Sequence, residues 1–121
     1  MNALVDTGLL LDYLRGDTRA REALHACTHR SVTVSTWVEV MRACPPDRRE
    51  ATRAWLRGFE RLSISESTAD EAMRLSFDDP RLDAGLAVNL ASAIVNQLVF
   101  VTTHPAADAA RRDLVVPYRS G

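Results

Sequence analysis

Two acids in this sequence sit where a cation would be useful. Asp6 ends the apolar run "ALVD" and is followed by the amphipathic stretch "TGLLLDYLRGD". A carboxylate at the end of a hydrophobic strand loses hydration. It needs a partner, a helix N-terminus or a metal ion to offset that cost. Glu39 falls one turn into the helix predicted after "SVTVS", within "VSTWVEV". Ser35 and Glu39 are four residues apart and share a helix face. In a parallel α/β sheet both Asp6 and Glu39 would reach the rim beyond the carboxyl ends of the strands, where ligands collect. The same spacing also fits two helix-start acids that merely favour the dipole.

The elements that must position these residues are legible as an alternation. Residues 2–5 read as a short buried strand. A helix capped by Asp6 or Thr7 follows, with Leu9, Leu10, Tyr13 and Leu14 on one face, and Gly16 ends it. Thr18 opens a second helix running to about Cys27. Residues 31–35 alternate like a strand, and residues 36–43 form a helix stopped by Pro45-Pro46. The pattern then predicts a long helix over 47–61 with Ala51, Ala54, Trp55, Leu56 and Phe59 inward. A strand over 61–65 follows, then a helix over 66–76 with Ala69, Ala72, Met73 and Leu75 as its apolar residues, and a loop over 77–85. A small-residue helix over 86–96 leads into the apolar strand "LVFVT", of the kind buried on both faces. A short helix over 105–112 and a strand over 114–117 complete the chain. Strands alternating with helices imply a single α/β domain over residues 1–121, with a mainly parallel sheet of four or five strands between helical layers.

Composition narrows the function. At 121 residues with 46% hydrophobic and 26% charged side chains, the chain is an ordinary globular domain. No stretch approaches a membrane span, and the N-terminus has no basic region or cleavage site of a signal peptide, so a cytoplasmic protein is expected. The net charge of -1 supplies no global basic field, so nucleic acid would have to bind through a local patch. Every basic residue is Arg, whose planar fork suits phosphate oxygens. Cys27 and Cys44 form no CxxC pair and read as reduced thiols. No Gly-rich phosphate loop supports a nucleotide-binding protein.

The order "LVDTGLLLDYLRGD", then "VTVSTWVEV", then "LAVNLASAIVNQLVFVTTHPAADAARRDLVV" resembles the PIN-domain family, and more narrowly its VapC-type toxin ribonucleases from toxin–antitoxin pairs. The resemblance spans nearly the whole chain. It implies a PIN-like three-layer α/β sandwich and a metal-dependent endoribonuclease. It implies Mg²⁺ or Mn²⁺ as cofactor, an RNA substrate, a small antitoxin protein as partner, and a homodimer. Residue by residue, Asp6 matches the family's first metal-binding acid, Glu39 the second, and Thr7 the small hydroxyl residue beside the site. The second half departs from the pattern. "NLASA" matches the family's small-residue run, which puts the third acid position on Leu86. Asp83 and Asn89 lie one helical turn to either side. In "VTTHP" the fourth acid position carries His104, with Asp108 further on. The metal set is therefore expected to be Asp6, Glu39, Asp83 and His104, with Asn89 and Asp108 as alternatives. A neutral His suits Mn²⁺ better than Mg²⁺. The alternative is a catalytically degenerate PIN domain that binds RNA or protein.

Other residues read as structural. His25, Cys27 and His29 lack the further ligands of a zinc site. Asp12 is expected to be solvated or ion-paired. Trp37 and Trp55 read as core or interface aromatics rather than base-stacking platforms. Arg48, Arg49, Arg53 and Arg57 form a helical stripe that is solvated, or meets RNA phosphates or an acidic partner.

Overall fold

A computed structural model describes residues 1–119. Five strands, β1 (Asn2–Val5), β2 (His29–Thr33), β3 (Glu60–Leu62), β4 (Val99–Thr102) and β5 (Val115–Pro117), form one sheet in the order β3-β2-β1-β4-β5. Every pairing is parallel. The sheet thus has the upper of the two expected strand numbers and is wholly rather than mainly parallel.

The helices lie in two layers, and strand alternation assigns them. Ala3 and Val5 of β1 and Val101 of β4 pack with Leu9 and Leu10 of α1 (Thr7–Leu14), Leu24 of α2 (Thr18–His25), Val40 of α3 (Val34–Ala43) and Leu56 of α4 (Arg49–Leu56). Leu4 and Phe100 point the other way. They pack with Ala72 and Leu75 of α5 (Glu66–Asp78), with Leu86, Leu90 and Ala93 of α6 (Ala84–Val95), and with Ala107 of α7 (Pro105–Ala110). Helix α6 is buried along most of its length, since its alanines and Ser92 let it lie close to the sheet and to α5.

Five of the seven α-helices among the described residues start at a side-chain cap. Asp6, Asp17, Thr33, Ser65 and Asp83 are N-caps whose side chains accept backbone N–H bonds. Gly16, with φ +88°, makes the left-handed turn after α1 that glycine permits.

The expected helix over 47–61 is shorter. A 3-10 turn at Pro46–Arg48 precedes α4, which ends at Leu56, and residues 57–59 turn Phe59 back into the core. Ala51 and Ala54 are exposed; Thr52 and Leu56 are the buried positions. Ala69 and Met73 of α5 also face outward. Val34 and Ser35, expected at the end of a strand, begin α3 instead because Thr33 caps it. Cys27 is buried and Cys44 partly so, and both are free thiols. Burial pushes the Cys27 thiol above its usual range. No helix among the described residues is long and apolar enough to cross a membrane.

Candidate active site

The strand order reverses direction between β1 and β4. Connections leaving β1 run through β2 to β3, and the chain then crosses to β4 and β5. Such a switch point leaves a crevice beyond the carboxyl ends of the strands, because the flanking loops diverge. Asp6 follows β1 and Thr102 ends β4, so both stand at that crevice. An open cleft of about 330 Å³ lies there, and its walls include Asp6, Thr7, Glu39, Asp83, Leu86, Asn89 and His104.

Asp6 is only 5% exposed, and every polar contact it makes holds its carboxylate in place. Oδ1 accepts the Thr7 backbone N–H at 2.8 Å and the Asn89 amide Nδ2 at 3.4 Å. Oδ2 accepts the Thr102 hydroxyl at 2.7 Å. That hydroxyl oxygen also accepts the His104 backbone N–H at 3.1 Å, and His104 Nε2 stands 3.5 Å from Asp6 Oδ2. The Asp6 backbone N–H donates to the Val101 carbonyl at 3.1 Å, so β1 and β4 both fix the position of Asp6.

Glu39 is exposed and reaches the cleft from α3. Thr7 joins it to Asp6. Its Oγ1 lies 3.2 Å from Glu39 Oε1 and 3.0 Å from Thr36 Oγ1. Its single proton best serves the anionic acceptor. Below them Thr33 Oγ1 donates to Asn89 Oδ1 at 2.8 Å and lies 3.3 Å from Thr36 Oγ1.

The structure therefore brings Asp6, Glu39, Asp83 and His104 to one cleft, and sorts the alternatives. Asn89 has its amide nitrogen on Asp6 and its oxygen on Thr33, so it orients the carboxylate. Asp108, on α7, is not among the cleft walls. Asp83 Oδ1 accepts the Leu86 N–H as the cap of α6. Leu86, the resemblance's third acid position, lines the cleft but is 7% exposed and belongs to the apolar cluster. The sequence reading missed the hydroxyl network of Thr33, Thr36 and Thr102. A Thr at a strand end reads as a β-former, and only the two motifs "VTV" and "VTT", at the ends of the strands that flank β1, hint at more.

The charges fit a cation better than the geometry alone would require. Three carboxylates line the cleft, and among the described residues no Arg is ion-paired to Asp6, Glu39 or Asp83. Among the described residues that line the cleft, His104 is the one side chain able to carry a positive charge. Like charges gathered in a half-desolvated cleft repel unless a cation sits among them. The donor set is thin, however. Among the described residues no three His, Cys, Asp or Glu side chains converge closely enough to form a complete metal cage. Asp6 and Glu39 alone would suit only an ion that keeps much of its water.

The fold defined by this sheet and its helices is PIN-like, as in VapC structures. No family profile matches the chain, and no curated protein matches it. Solved structures do. A chain of a toxin–antitoxin complex from Klebsiella pneumoniae is 29% identical, with a TM-score of 0.88 over 95% of this chain and 96% of its own. A chain of FitAcB from Neisseria gonorrhoeae is 16% identical, with a TM-score of 0.78 over 93% and 95%. A chain of VapBC2 from Rickettsia felis, bound to a DNA fragment from their promoter, is 10% identical, with a TM-score of 0.80 over 98% and 100%. The latter two share the fold at low identity.

Proposed function

We propose that this chain is the toxin-type member of a toxin–antitoxin pair, a metal-dependent endoribonuclease of low activity. One observation carries the reading. Asp6 and Glu39 share a single cleft at the switch point of a PIN-like sheet, linked through Thr7 and paired to no Arg among the described residues. Mg²⁺ or Mn²⁺ bound there would activate water and neutralise charge on a scissile phosphate. Asp6 and Glu39 would hold the ion, with Asp83 and His104 at the rim. Thr102, Asn89 and the Thr7 N–H keep the Asp6 carboxylate aimed, and the Thr7 hydroxyl steadies Glu39. His104 makes Mn²⁺ the better cofactor, because imidazole nitrogen is a poor ligand for Mg²⁺.

The partners follow from the same reading: RNA as substrate, a small antitoxin protein, and a second copy of the chain, all in the cytoplasm. The similar chain from Klebsiella pneumoniae comes from a toxin–antitoxin complex. A mainly apolar groove of about 530 Å³ between α1, α3 and α4, with Leu11, Leu14, Val40 and Trp55 on its walls, suits an antitoxin segment.

A second reading is favoured by Leu86 and by the thin donor set: a domain that keeps the fold and binds RNA or protein without cleaving it. RNA cleavage assays decide between them. The wild type is expected to cleave RNA weakly with Mn²⁺, more slowly with Mg²⁺, and not in EDTA. Asp6→Asn and Glu39→Gln are each expected to remove cleavage while the circular dichroism spectrum is retained. A wild type that neither cleaves RNA nor binds Mn²⁺ in a titration would establish the binding module instead.

A further inference from the structure

Outside the cleft, a hollow of about 430 Å³ opens between α3 and α4, lined by Trp37, Val38, Met41, Arg42, Arg49 and Arg53. All three arginines are exposed. Among the described residues none of them forms an ion pair. Among the described residues no acid lines the hollow. A fourth guanidinium, Arg61, lies 4.6 Å over the Trp37 ring. The three guanidiniums around this apolar floor repel one another, while Arg61 is held by the indole face, so the patch is complementary to a polyanion. On a chain of net charge -1 this concentration is local.

Position gives the patch a use. Helix α3 lends Glu39 to the cleft and Trp37, Val38, Met41 and Arg42 to the hollow, so the two sites occupy adjoining faces of one helix. Arg49 and Arg53 are four apart on α4 and stand side by side, about one turn from each other. Guanidinium forks bond phosphate oxygens in pairs. An apolar floor with an indole at its edge accepts an unstacked base or ribose, which a duplex does not offer.

We propose that this hollow is a binding tract for single-stranded RNA, in which Arg42, Arg49 and Arg53 take backbone phosphates and the Trp37–Val38–Met41 floor takes a base. The tract leads the strand over α3 toward the cleft; that last step rests on the nuclease reading, while the binding itself does not.

The test is fluorescence anisotropy of a labelled single-stranded RNA of mixed sequence, in EDTA so that nothing is cut, across a salt series. The Arg49→Ala/Arg53→Ala protein is expected to bind at least 10-fold more weakly. Its slope of log affinity against log salt should be shallower by about 1.4, the loss of two single-strand phosphate contacts. Arg42→Ala, on the other helix, should weaken binding independently, so a folding defect confined to α4 does not decide the matter. In a Trp55→Phe protein, Trp37 is the sole indole, and RNA should change its emission. Undiminished RNA binding by both arginine variants overturns the tract. So does polyglutamate competing as well as RNA, which would mark a protein-docking patch, or a change of oligomeric state in the variants, which would mark an interface between copies. Loss of binding in the variants of a protein that cleaves no RNA leaves the tract standing and removes the nuclease; cleavage with unchanged binding does the reverse.

Discussion

Asp6 is held by three donors from three different parts of the chain, and the shortest of these bonds is the one from Thr102. A hydrogen bond to a charged acceptor contributes about 1.5–3 kcal/mol. Thr102→Val keeps the shape and removes the hydroxyl, leaving one oxygen of a buried carboxylate without its donor. We expect urea denaturation to show a loss of about 1.5–3 kcal/mol, and Thr102→Ser to restore most of it. A valine variant as stable as wild type would mean that Asp6 does not depend on this bond. The acids themselves were legible in sequence. A carboxylate directly after an apolar strand is conspicuous, and Glu39 stands out once the second strand is placed. Their supports were not. Asn89 sits in a run of alanine and leucine and reads as an ordinary helix position, and no local pattern announces that its amide spans from Asp6 to Thr33. His104 was singled out through resemblance alone, and the structure places it beside Asp6.

Loops and helix ends decide whether these residues meet. The connection from α5 to α6 is a tight turn built by Asp79. Its backbone C=O accepts the Leu82 N–H at 3.2 Å, and its carboxylate accepts the Arg81 backbone N–H and both sides of the guanidinium fork. That turn delivers Asp83 to its place as the cap of α6 and rim of the cleft. The Arg81 side-chain bonds hold the Asp79 carboxyl down at about 2, from an ordinary 3.8. A carboxylate depressed in the folded state contributes stability above its unfolded pKa, and that contribution disappears as pH falls through the folded value. Wild type should therefore melt higher than Asp79→Asn at neutral pH. The gap should begin to close below about pH 3.8 and be gone near pH 2. A gap that stays constant over that range would show that the turn does not draw on this pair. Sequence predicted a loop here but not its order, because Asp79 reads as a generic turn former and nothing local announces that it bonds Arg81 and Leu82. The division of the 47–61 segment was likewise hidden. Its apolar periodicity persists to Phe59, yet Phe59 is reached by a turn after Leu56 rather than by continued helix.

At the scale of the molecule, alternation of strands and helices disclosed the fold class, while the order β3-β2-β1-β4-β5 did not follow from it. Short strands of similar composition leave several orders open until long-range packing selects one. That order is what creates the crevice, and it makes the cleft and the core one mechanical unit. Leu86 shows the coupling. It lines the cleft, is 7% exposed, and packs in the cluster of α5, α6 and α7 against the sheet. Replacing it with Asp trades core packing for a further carboxylate beside Asp6 and Glu39. Without metal, Leu86→Asp should lower the stability of the whole domain by at least about 2–5 kcal/mol, the range for losing a buried leucine side chain, with the desolvation of the new carboxylate adding to it. If the cleft is a cation site, the same variant should regain stability with Mn²⁺. At a free concentration 100-fold above the dissociation constant the gain is about 2.7 kcal/mol. Thermal melts in EDTA and over a Mn²⁺ series read both effects at once. The expected result is a low melting temperature in EDTA that rises with Mn²⁺ at lower concentrations than wild type requires. A folded Leu86→Asp protein whose melting temperature ignores Mn²⁺ would show that position 86 does not face a metal site and would undo the assignment of the third acid position.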